Sequence, residues 1–354
     1  MNRVDWIDIA KGLGMLAVVW GHICCEGWSN DLVYSFHIPL FFFLSGLVFN
    51  GKKHRDFFQF LKNRARRLLL PYFIYSVITW LFWVLFTRYS GKPCDDYLSP
   101  LLQTFVAQGS GGYLVHNVAL WFIPCLFCVE LIFYPIGKCE SKWVRLFCCI
   151  AIAGIGMILE HTFGKAYLNT MPWNLDSAFM AMPFYCVGNM VGINHTLNIK
   201  VQKFRAIYVS VVGILTVVLL WSAVKWGAIS MGHSKFGNEY IFHVRGLIGC
   251  FSTLIFSMLL AGLLHSNKIW DTIVGYVKWV GKYSFDFMAT NNPLKGVVCV
   301  AIASAFHIKT TNASFHDIYT SLFAFAITLI INSIIVWMIS KVRSRGWNLK
   351  KQTV

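Results

Sequence analysis

The sequence predicts an all-α integral membrane protein, a polytopic bundle of about ten transmembrane helices with both termini in the cytoplasm. Three observations indicate this fold class: the composition, a succession of long apolar segments, and the uneven placement of Lys and Arg. The 354 residues are 57% hydrophobic and 13% charged, which is about half the charged fraction of an ordinary soluble protein. Too few polar residues are present to cover a water-exposed surface, and this excludes disordered and soluble globular proteins.

Ten apolar segments approach the roughly 20 residues that a helix needs to cross a bilayer. They lie at 7–26, 33–50, 68–88, 117–137, 143–160, 176–194, 205–224, 244–265, 283–305 and 317–340. Because they occupy most of the chain, we expect one integral membrane domain over residues 1–354. Asp5, Asp8 and Lys11 interrupt the first segment and no small-residue cleavage site follows it, so we predict a retained span rather than a signal peptide.

The positively charged residues agree with this number of spans. With both termini in the cytoplasm, 22 of the 31 Lys and Arg residues fall in inner segments and 7 in outer ones, while Lys11 and Lys295 lie within spans. This distribution follows the positive-inside rule. It accounts for the net charge of +16 without a nucleic-acid partner, which we do not expect because no soluble module is present to bind one.

Cysteine and histidine spacing gives no indication of a metal site. Most of the 11 Cys residues lie in apolar runs, where a thiol packs as a small apolar side chain. Cys125 and Cys128 form a CxxC pair, but no second pair or nearby His accompanies it, so we interpret it as packing. We therefore expect no metal ion.

The first span carries three polar side chains, Asp8, Lys11 and His22, which are costly inside a membrane. At about 100° per residue they fall on one face of the helix, and Lys11 and His22 lie about 16 Å apart along its axis. In one interpretation, Asp8 and Lys11 form a pair that orients the helix, and His22 is held by hydrogen bonds at the interface. In the other, the face lines a functional site with His22 near the outer side.

A second histidine favours the functional interpretation. His37 follows Ser35 and Phe36 near the outer end of the second span, and a short outer turn would make the first two spans a hairpin. His22 and His37 would then lie at a similar depth, where one imidazole could act as a general base and the other could orient it. The structural alternative for His37 is a helix-start histidine among the lipid headgroups.

A cluster of arginines precedes the third span at Arg64, Arg66 and Arg67. The simplest interpretation is a positive-inside signal. The functional interpretation is an anion site, because guanidinium groups bind phosphates in bidentate fashion. The cluster alone does not separate these two interpretations.

These residues belong to a longer set of motifs that resembles the acyltransferase family 3 integral membrane proteins, most closely the fucose 4-O-acetylase-like enzymes. The specific motifs lie in the first part of the chain, and the later ones are looser. They are DWIDIAKG at 5–12, VWGH at 19–22, FHIPLFFFLSG at 36–46, RARR at 64–67 with Pro71-Tyr72, LWFIP at 120–124, residues 175–188, and GKYS at 281–284.

The resemblance implies a ten-span enzyme that moves an acyl group, usually acetyl, from cytosolic acyl-CoA to an acceptor, mostly a sugar hydroxyl of a surface polysaccharide, glycolipid or peptidoglycan. The family's basic residue, followed by ten positions and then a histidine in span one, matches Lys11 and His22, and its Arg-x-Arg matches Arg64 and Arg66. One departure is that Asn291-Asn292-Pro293 stands where relatives often have His before Pro.

From these motifs we expect Arg64 and Arg66, with Arg67, to hold the CoA phosphates at the cytosolic face. His22 would act as general base on the acceptor hydroxyl or carry the acyl group itself. His37 would orient His22 or contact the acceptor. In this scheme Lys11 and Asp8 support the site by shaping the donor path or by compensating charge.

Two further residues are candidates for substrate binding. Trp121 could stack on a sugar ring, although an interfacial Trp belt also explains it. Glu130 is an acid inside the fourth span, and Asp286 one inside the ninth. Each of these acids could instead pair with Lys11 or Lys295 across helices.

The competing function is a transporter or flippase of a lipid-linked or small sugar, since buried charges and a helix broken at Pro293 suit a carrier. A non-catalytic membrane module is a third possibility that the histidines and the arginine cluster oppose. We expect a multi-pass protein of the plasma membrane, in bacteria the inner membrane. The acceptor, the acyl chain, an ester or amide product, and the oligomeric state stay open.

Overall fold

The computed structural model describes residues 3–53, 56–89, 96–110, 112–168, 171–193, 195–233, 236, 239–310 and 313–352. These residues form α-helices and short 3-10 or π turns, and no β-strand is present among them. Cys24 and Phe315 form an isolated parallel bridge. The all-α fold class is therefore confirmed.

A helix covers each of the ten predicted segments. In the described part of the chain the α-helices are α1 Asp5–Ile23, α2 Trp28–Tyr34, α3 His37–Leu47, α4 Phe57–Arg64, α5 Leu70–Tyr89, α6 Ser99–Leu102, α7 Phe122–Ile136, α8 Lys142–Leu168, α9 Leu175–Val191, α10 His195–Lys203, α11 Arg205–Trp226, α12 Glu239–Ala261, α13 Lys268–Lys282, α14 Ser284–Phe306 and α15 Ile318–Gln352.

Among the described residues, six helical segments are long and apolar enough to cross a membrane, which makes the chain a multi-pass membrane protein. They are Phe57–Phe86, Val118–Ile136, Lys142–Thr162, Arg205–Trp226, Ile241–Ala261 and Ile318–Ser344. The other predicted spans correspond to α1, α3, α9 and α14. The number of ten spans and the orientation of the termini stay predictions.

The four helices outside this set are short or polar. Helix α3 has 11 residues and α9 has 17, while α1 and α14 carry charged side chains. They also pack inside the bundle, where α1 contacts α3, α12, α13 and α14 and α3 contacts α9. By contrast, only 17% of the apolar window of α11 is buried. A helix enclosed by protein is not required to be apolar on every face.

Helix α13 was not predicted, because 266–282 reads as a charged inner segment. Asn267 caps the helix by accepting a hydrogen bond from the Trp270 backbone N–H, 3.0 Å. The helix packs directly on α1 through two glycines. A Cβ on Gly281 would overlap the Asp8 carbonyl oxygen, and one on Gly12 would overlap the Val277 carbonyl oxygen. Only glycine permits backbones to approach this closely.

The predicted hairpin of the first two spans contains an additional short helix, α2. Asn30, on α2, donates its Nδ2 to the Gly21 carbonyl at 3.3 Å and also to the Cys24 carbonyl. These bonds satisfy carbonyls that the end of α1 leaves without an intrahelical partner. Helix α2 therefore fixes the end of α1 beside the start of α3.

Candidate functional site

A cavity of about 710 Å³ lies where the C-terminal end of α1 meets the start of α3, the middle of α14 and three loops. The loop residues come from 109–119, 228–233 and 313–314. Its lining residues include the polar and aromatic side chains of His22, Asn30, Tyr34, His37, Ser110, Tyr113, Trp121, Ser230, His233, Asn292, Lys295 and Ser314. The structure thus brings His22 and His37 to one cavity together with Trp121.

His22 has a ring nitrogen without a hydrogen-bond partner among the residues that the structure describes. Its Nδ1 is buried and has no hydrogen-bond partner, while its backbone carbonyl accepts a hydrogen bond from Ser314 Oγ at 2.9 Å. A neutral imidazole carries one N–H donor and one acceptor nitrogen. The His22 side chain lines the cavity, and a neutral imidazole can accept or donate a proton.

His37 is fixed in orientation. It is 2% exposed, and its Nδ1 lies 2.6 Å from the Val33 carbonyl oxygen. Because a carbonyl only accepts, Nδ1 carries the hydrogen, and in the neutral ring Nε2 is then the acceptor. The Tyr34 ring stands perpendicular to the imidazole with a centroid distance of 4.8 Å. This arrangement holds one tautomer and one ring position.

Residues 313–315 join the end of α1 to the neighbouring helices. The Phe315 N–H donates to the Ile23 carbonyl at 2.9 Å, and the Cys25 N–H donates to the Phe315 carbonyl at 3.1 Å. Sequence reasoning did not find this segment, because its pairing depends on two stretches of chain about 290 residues apart.

Lys295, on α14, completes this wall of the cavity. Its Nζ donates to the Ala313 carbonyl and to Ser314 Oγ, 3.2 Å each, and Ser314 in turn donates to the His22 carbonyl. The sequence signal was available, since a lysine inside a span is a functional candidate by default. We considered Lys295 only as a partner for a buried acid.

Trp121 forms another wall and is held by two glycines. A Cβ on Gly232 would lie 2.7 Å from Trp121 Nε1, and one on Gly109 would lie 2.9 Å from Trp121 Cγ. Trp121 is 7% exposed and reaches the cavity lining. His233, in the same loop as Gly232, has its Nδ1 2.9 Å from Ser230 Oγ. No motif or spacing in the sequence predicts that His233 lies in the same cavity lining as His22.

Lys11 and Asp8 lie away from this cavity, toward the other end of α1, and neither lines it. Asp8 pairs with Arg3, Oδ2 to Nε 2.9 Å, and not with Lys11. The described residues offer Lys11 no hydrogen bond or ion pair, although it is half-buried. Lys11 is thus a cation on the interior face of α1 about 16 Å from His22.

Arg66 and Arg67 lie on a π-helical turn, Ala65–Leu69, between α4 and α5, and Arg64 is the last residue of α4. Such turns are rare and are frequent at functional sites. Arg64 is turned inward and pairs with Glu130, Nε to Oε2 3.2 Å. Arg66 and Arg67 are exposed, and neither bonds to a residue that the structure describes. Of the three predicted phosphate ligands, only these two are thus free to meet a soluble anion.

The two intramembrane acids are ion-paired, but with other partners than we expected. Glu130 pairs with Arg64 rather than with Lys11 or Lys295, and it does not line the cavity. Asp286 accepts hydrogen bonds from Tyr75 OH at 2.6 Å and Arg343 Nη2 at 2.8 Å. Arg64 and Arg343 lie outside the predicted spans, so the sequence alone does not predict their pairing with acids inside the spans.

We compared the chain with curated proteins, solved structures and protein families. No curated protein and no solved structure matches the chain. One family model, described as an acyltransferase domain, matches residues 4–341 and so includes both the cavity at His22 and the arginine turn. The match confirms the resemblance at the level of the family. The chain belongs to the acyltransferase 3 family.

Proposed function

We propose that this protein is an acyl-CoA-dependent membrane O-acyltransferase. It moves an acyl group, in the first place acetyl, to a hydroxyl of a cell-surface saccharide or glycolipid, as the fucose 4-O-acetylase-like enzymes do. The observation that carries the proposal is the shared cavity of His22 and His37 in a chain of the acyltransferase 3 family. An unpartnered ring nitrogen beside a second, oriented imidazole suits proton transfer from a hydroxyl.

The donor binds at the opposite end of the bundle. Arg66 and Arg67 are exposed cations on the π turn and are suited to the CoA phosphates. The half-buried ammonium of Lys11 lies on the inward path from that end, close to the pair of Asp8 and Arg3. The pantetheine arm, about half a membrane thickness long, then carries the thioester toward His22.

The chemistry uses the chain's own imidazoles. In the direct route, His22 takes the acceptor hydroxyl proton as the oxygen attacks the thioester carbon. The new C–O bond forms, the C–S bond breaks, and the proton passes to the CoA sulfur. In the covalent route, a His22 nitrogen attacks the thioester first, the C–S bond breaks, and the imidazole N–H proton goes to the sulfur, so that CoA leaves as the thiol. The acceptor oxygen then attacks the acyl carbon, the C–N bond breaks, and the hydroxyl proton returns to the imidazole. His37 orients His22 or contacts the acceptor in both routes.

The test is acetyl transfer by the purified protein in lipid nanodiscs, followed as release of free CoA thiol. His22→Ala is expected to lower kcat at least about 100-fold without changing the melting temperature. The control is His161→Ala, because His161 is exposed on α8 and outside the cavity lining. A wild-type rate in His22→Ala would refute the catalytic assignment, and no dependence on acyl-CoA would favour the carrier.

A second arm of this test addresses the donor site. The double substitution Arg66→Gln, Arg67→Gln is expected to raise KM for acetyl-CoA about tenfold or more with kcat retained. The substitutions leave the buried Arg64–Glu130 pair in place, so a change in KM would report donor binding and not a loss of folding stability. An unchanged KM would mean that Arg66 and Arg67 serve only as a positive-inside signal for membrane orientation.

A further inference from the structure

We propose that Asn174 is a positioning residue that fixes Trp121 at the wall of the His22 cavity. From behind this wall its amide holds the two backbone segments against which the indole packs. The inference rests on the proposed function, in which an acceptor sugar occupies the cavity that Trp121 lines. Sequence reasoning did not find Asn174, because its partners lie in two loops that are distant along the chain.

Asn174 makes one hydrogen bond to each of these two loops. It is fully buried, and it does not itself line the cavity. Its Oδ1 accepts a hydrogen bond from the Gly109 N–H at 2.8 Å, and its Nδ2 donates one to the Gly232 carbonyl at 3.3 Å. Only one orientation of the amide satisfies both partners, since the first is a donor and the second an acceptor. One side chain therefore joins the loop of residues 105–110 to the loop of residues 228–233.

The two glycines held by Asn174 are the residues that pack against Trp121. A Cβ on Gly109 would lie 2.9 Å from Trp121 Cγ and 2.7 Å from the Gly232 carbonyl oxygen. A Cβ on Gly232 would lie 2.7 Å from Trp121 Nε1. Because no side chain separates these backbones from the indole, a movement of either loop changes the surface that Trp121 packs against. The position of the ring therefore depends on the two bonds of Asn174.

The backbone before α9 has an unusual conformation that points the Asn174 amide at both loops. Trp173 and Asn174 have φ angles of 61° and 47°, in the left-handed region that Asn tolerates better than most residues. The turn is attached to the first loop, because Trp173 donates its backbone N–H to the Val106 carbonyl at 2.7 Å and its Nε1 to the Phe105 carbonyl at 2.8 Å. Strained backbone of this kind clusters at functional sites.

The first turn of α9 adds another bond to the same wall. Ser177 is fully buried, and its Oγ donates to the Met231 carbonyl at 2.6 Å. Met231 and Gly232 are adjacent residues of the cavity lining. The start of a helix inside the bundle thus holds two consecutive carbonyls of the wall, and side chains supported by such an element keep a precise position.

A different role for Asn174 would be only to allow the left-handed turn before α9. Glycine adopts this conformation without steric cost, whereas alanine does not. If the turn alone matters, Asn174→Gly should behave as wild type and only Asn174→Ala should be impaired. If the two hydrogen bonds matter, both variants should be impaired to a similar extent.

The experiment measures Kd for p-nitrophenyl β-glucoside, β-galactoside and α-fucoside on the protein in nanodiscs, without a donor. For the glycoside that wild type binds most tightly, Asn174→Gly and Asn174→Ala should each raise Kd about tenfold or more. Asn174→Asp keeps an acceptor for Gly109 but has no donor for Gly232, so it should raise Kd about threefold or more. In all three variants KM for acetyl-CoA should stay within about twofold, because the donor arginines lie at the other end of the bundle.

Hydrogen exchange of backbone amides tests the two bonds without any ligand. In Asn174→Gly, peptides that contain residues 105–110 or 228–233 should exchange about tenfold faster or more, and peptides from α15 should not change. The matched control is Asn332→Ala, because Asn332 is also fully buried and also accepts one bond and donates one, from Thr290 Oγ1 at 2.6 Å and to the Phe287 carbonyl at 3.3 Å. It does not line the cavity, and its replacement should lower the melting temperature with Kd unchanged.

Four results would overturn the inference. They are a wild-type Kd in Asn174→Gly, an equal rise of Kd in Asn332→Ala, unchanged exchange of both loops in Asn174→Gly, and no binding of any of the three glycosides by wild type. CoA release by wild type together with a wild-type Kd in Asn174→Gly refutes this inference alone. Glycoside binding that Asn174→Gly weakens, in a protein that releases no CoA, supports the positioning role and refutes the proposed function.

Discussion

The three arginines Arg64, Arg66 and Arg67 have two different roles. Arg64 is 16% exposed and Glu130 is 5% exposed at the side chain, and Tyr185 OH lies 3.5 Å from the other Glu130 oxygen. Breaking a buried ion pair leaves an uncompensated charge and costs about 3 kcal/mol. Arg66 and Arg67 carry no such cost because they make no pair with described residues.

Arg64→Gln is therefore expected to lower the free energy of unfolding by about 3 kcal/mol, whereas Arg66→Gln should leave it within about 0.5 kcal/mol of wild type. Equilibrium unfolding of both variants in mixed micelles measures this difference. The double variant Arg64→Gln, Glu130→Gln should recover much of the loss. An Arg64→Gln protein as stable as wild type would contradict the structural role of this pair.

Trp121 gives a second prediction for a single site. Gly232→Ala would place a methyl group 2.7 Å from Trp121 Nε1, so the ring must move. We expect a rise of about tenfold in KM for the acceptor and an unchanged KM for acetyl-CoA, since one displaced aromatic contact is worth about 1 kcal/mol or more. Gly213→Ala on α11, where a Cβ meets nothing within 4 Å, should change neither value.

Helix α13 shows most clearly how an element depends on glycine. A methyl group on Gly281 would overlap the Asp8 backbone, and backbone atoms cannot move aside as a side chain can. Gly281→Ala is expected to destabilise the protein by about 3 kcal/mol or more. Gly275→Ala on the same helix meets nothing within 4 Å and should be neutral or stabilising by up to about 1 kcal/mol. Equal melting temperatures for the two variants would contradict the packing of α13 on α1.

The same element shows how far the sequence predicts the fold. Hydropathy identified the six helical segments of the described residues that are long and apolar enough to cross a membrane, because a span must be apolar over about 20 residues. It did not identify α2 or α13, which are polar on one side and gain stability by packing on α1. Periodicity also placed Asp8, Lys11 and His22 on one face, but the partners of Asp8 and Glu130 come from distant segments. Those pairings depend on tertiary contacts that one sequence does not specify.

For the whole molecule, the distribution of Lys and Arg predicts an orientation in the membrane. Labelling of a native cysteine can test this orientation. Cys139 is the exposed cysteine among the described residues, and it lies in the turn between α7 and α8, which we predict to face the cytoplasm. A membrane-impermeant maleimide should label it in inside-out vesicles and not in right-side-out vesicles. Cys139→Ser should abolish the signal. Labelling from the outside would invert the predicted topology.

The two ends of the molecule carry different parts of the proposed reaction. Arg66, Arg67 and Lys11 lie at the end where α1 begins, and His22, His37 and Lys295 lie near the end where α1 finishes. In the proposed reaction the donor and the acceptor enter from opposite sides, which agrees with the separation of about 16 Å between Lys11 and His22. An enzyme built this way transfers an acyl group across a membrane without moving the acceptor.

The most direct test of this account uses sealed proteoliposomes of one orientation, established by the Cys139 label, with acetyl-CoA confined to the side of Arg66. We predict acetylated p-nitrophenyl glycosides on the His22 side only, with release of one CoA per product on the donor side and no product from His22→Ala. Three results would contradict this account. They are product on the donor side, activity only with acetyl-CoA on the His22 side, and passage of unmodified glycoside through the membrane.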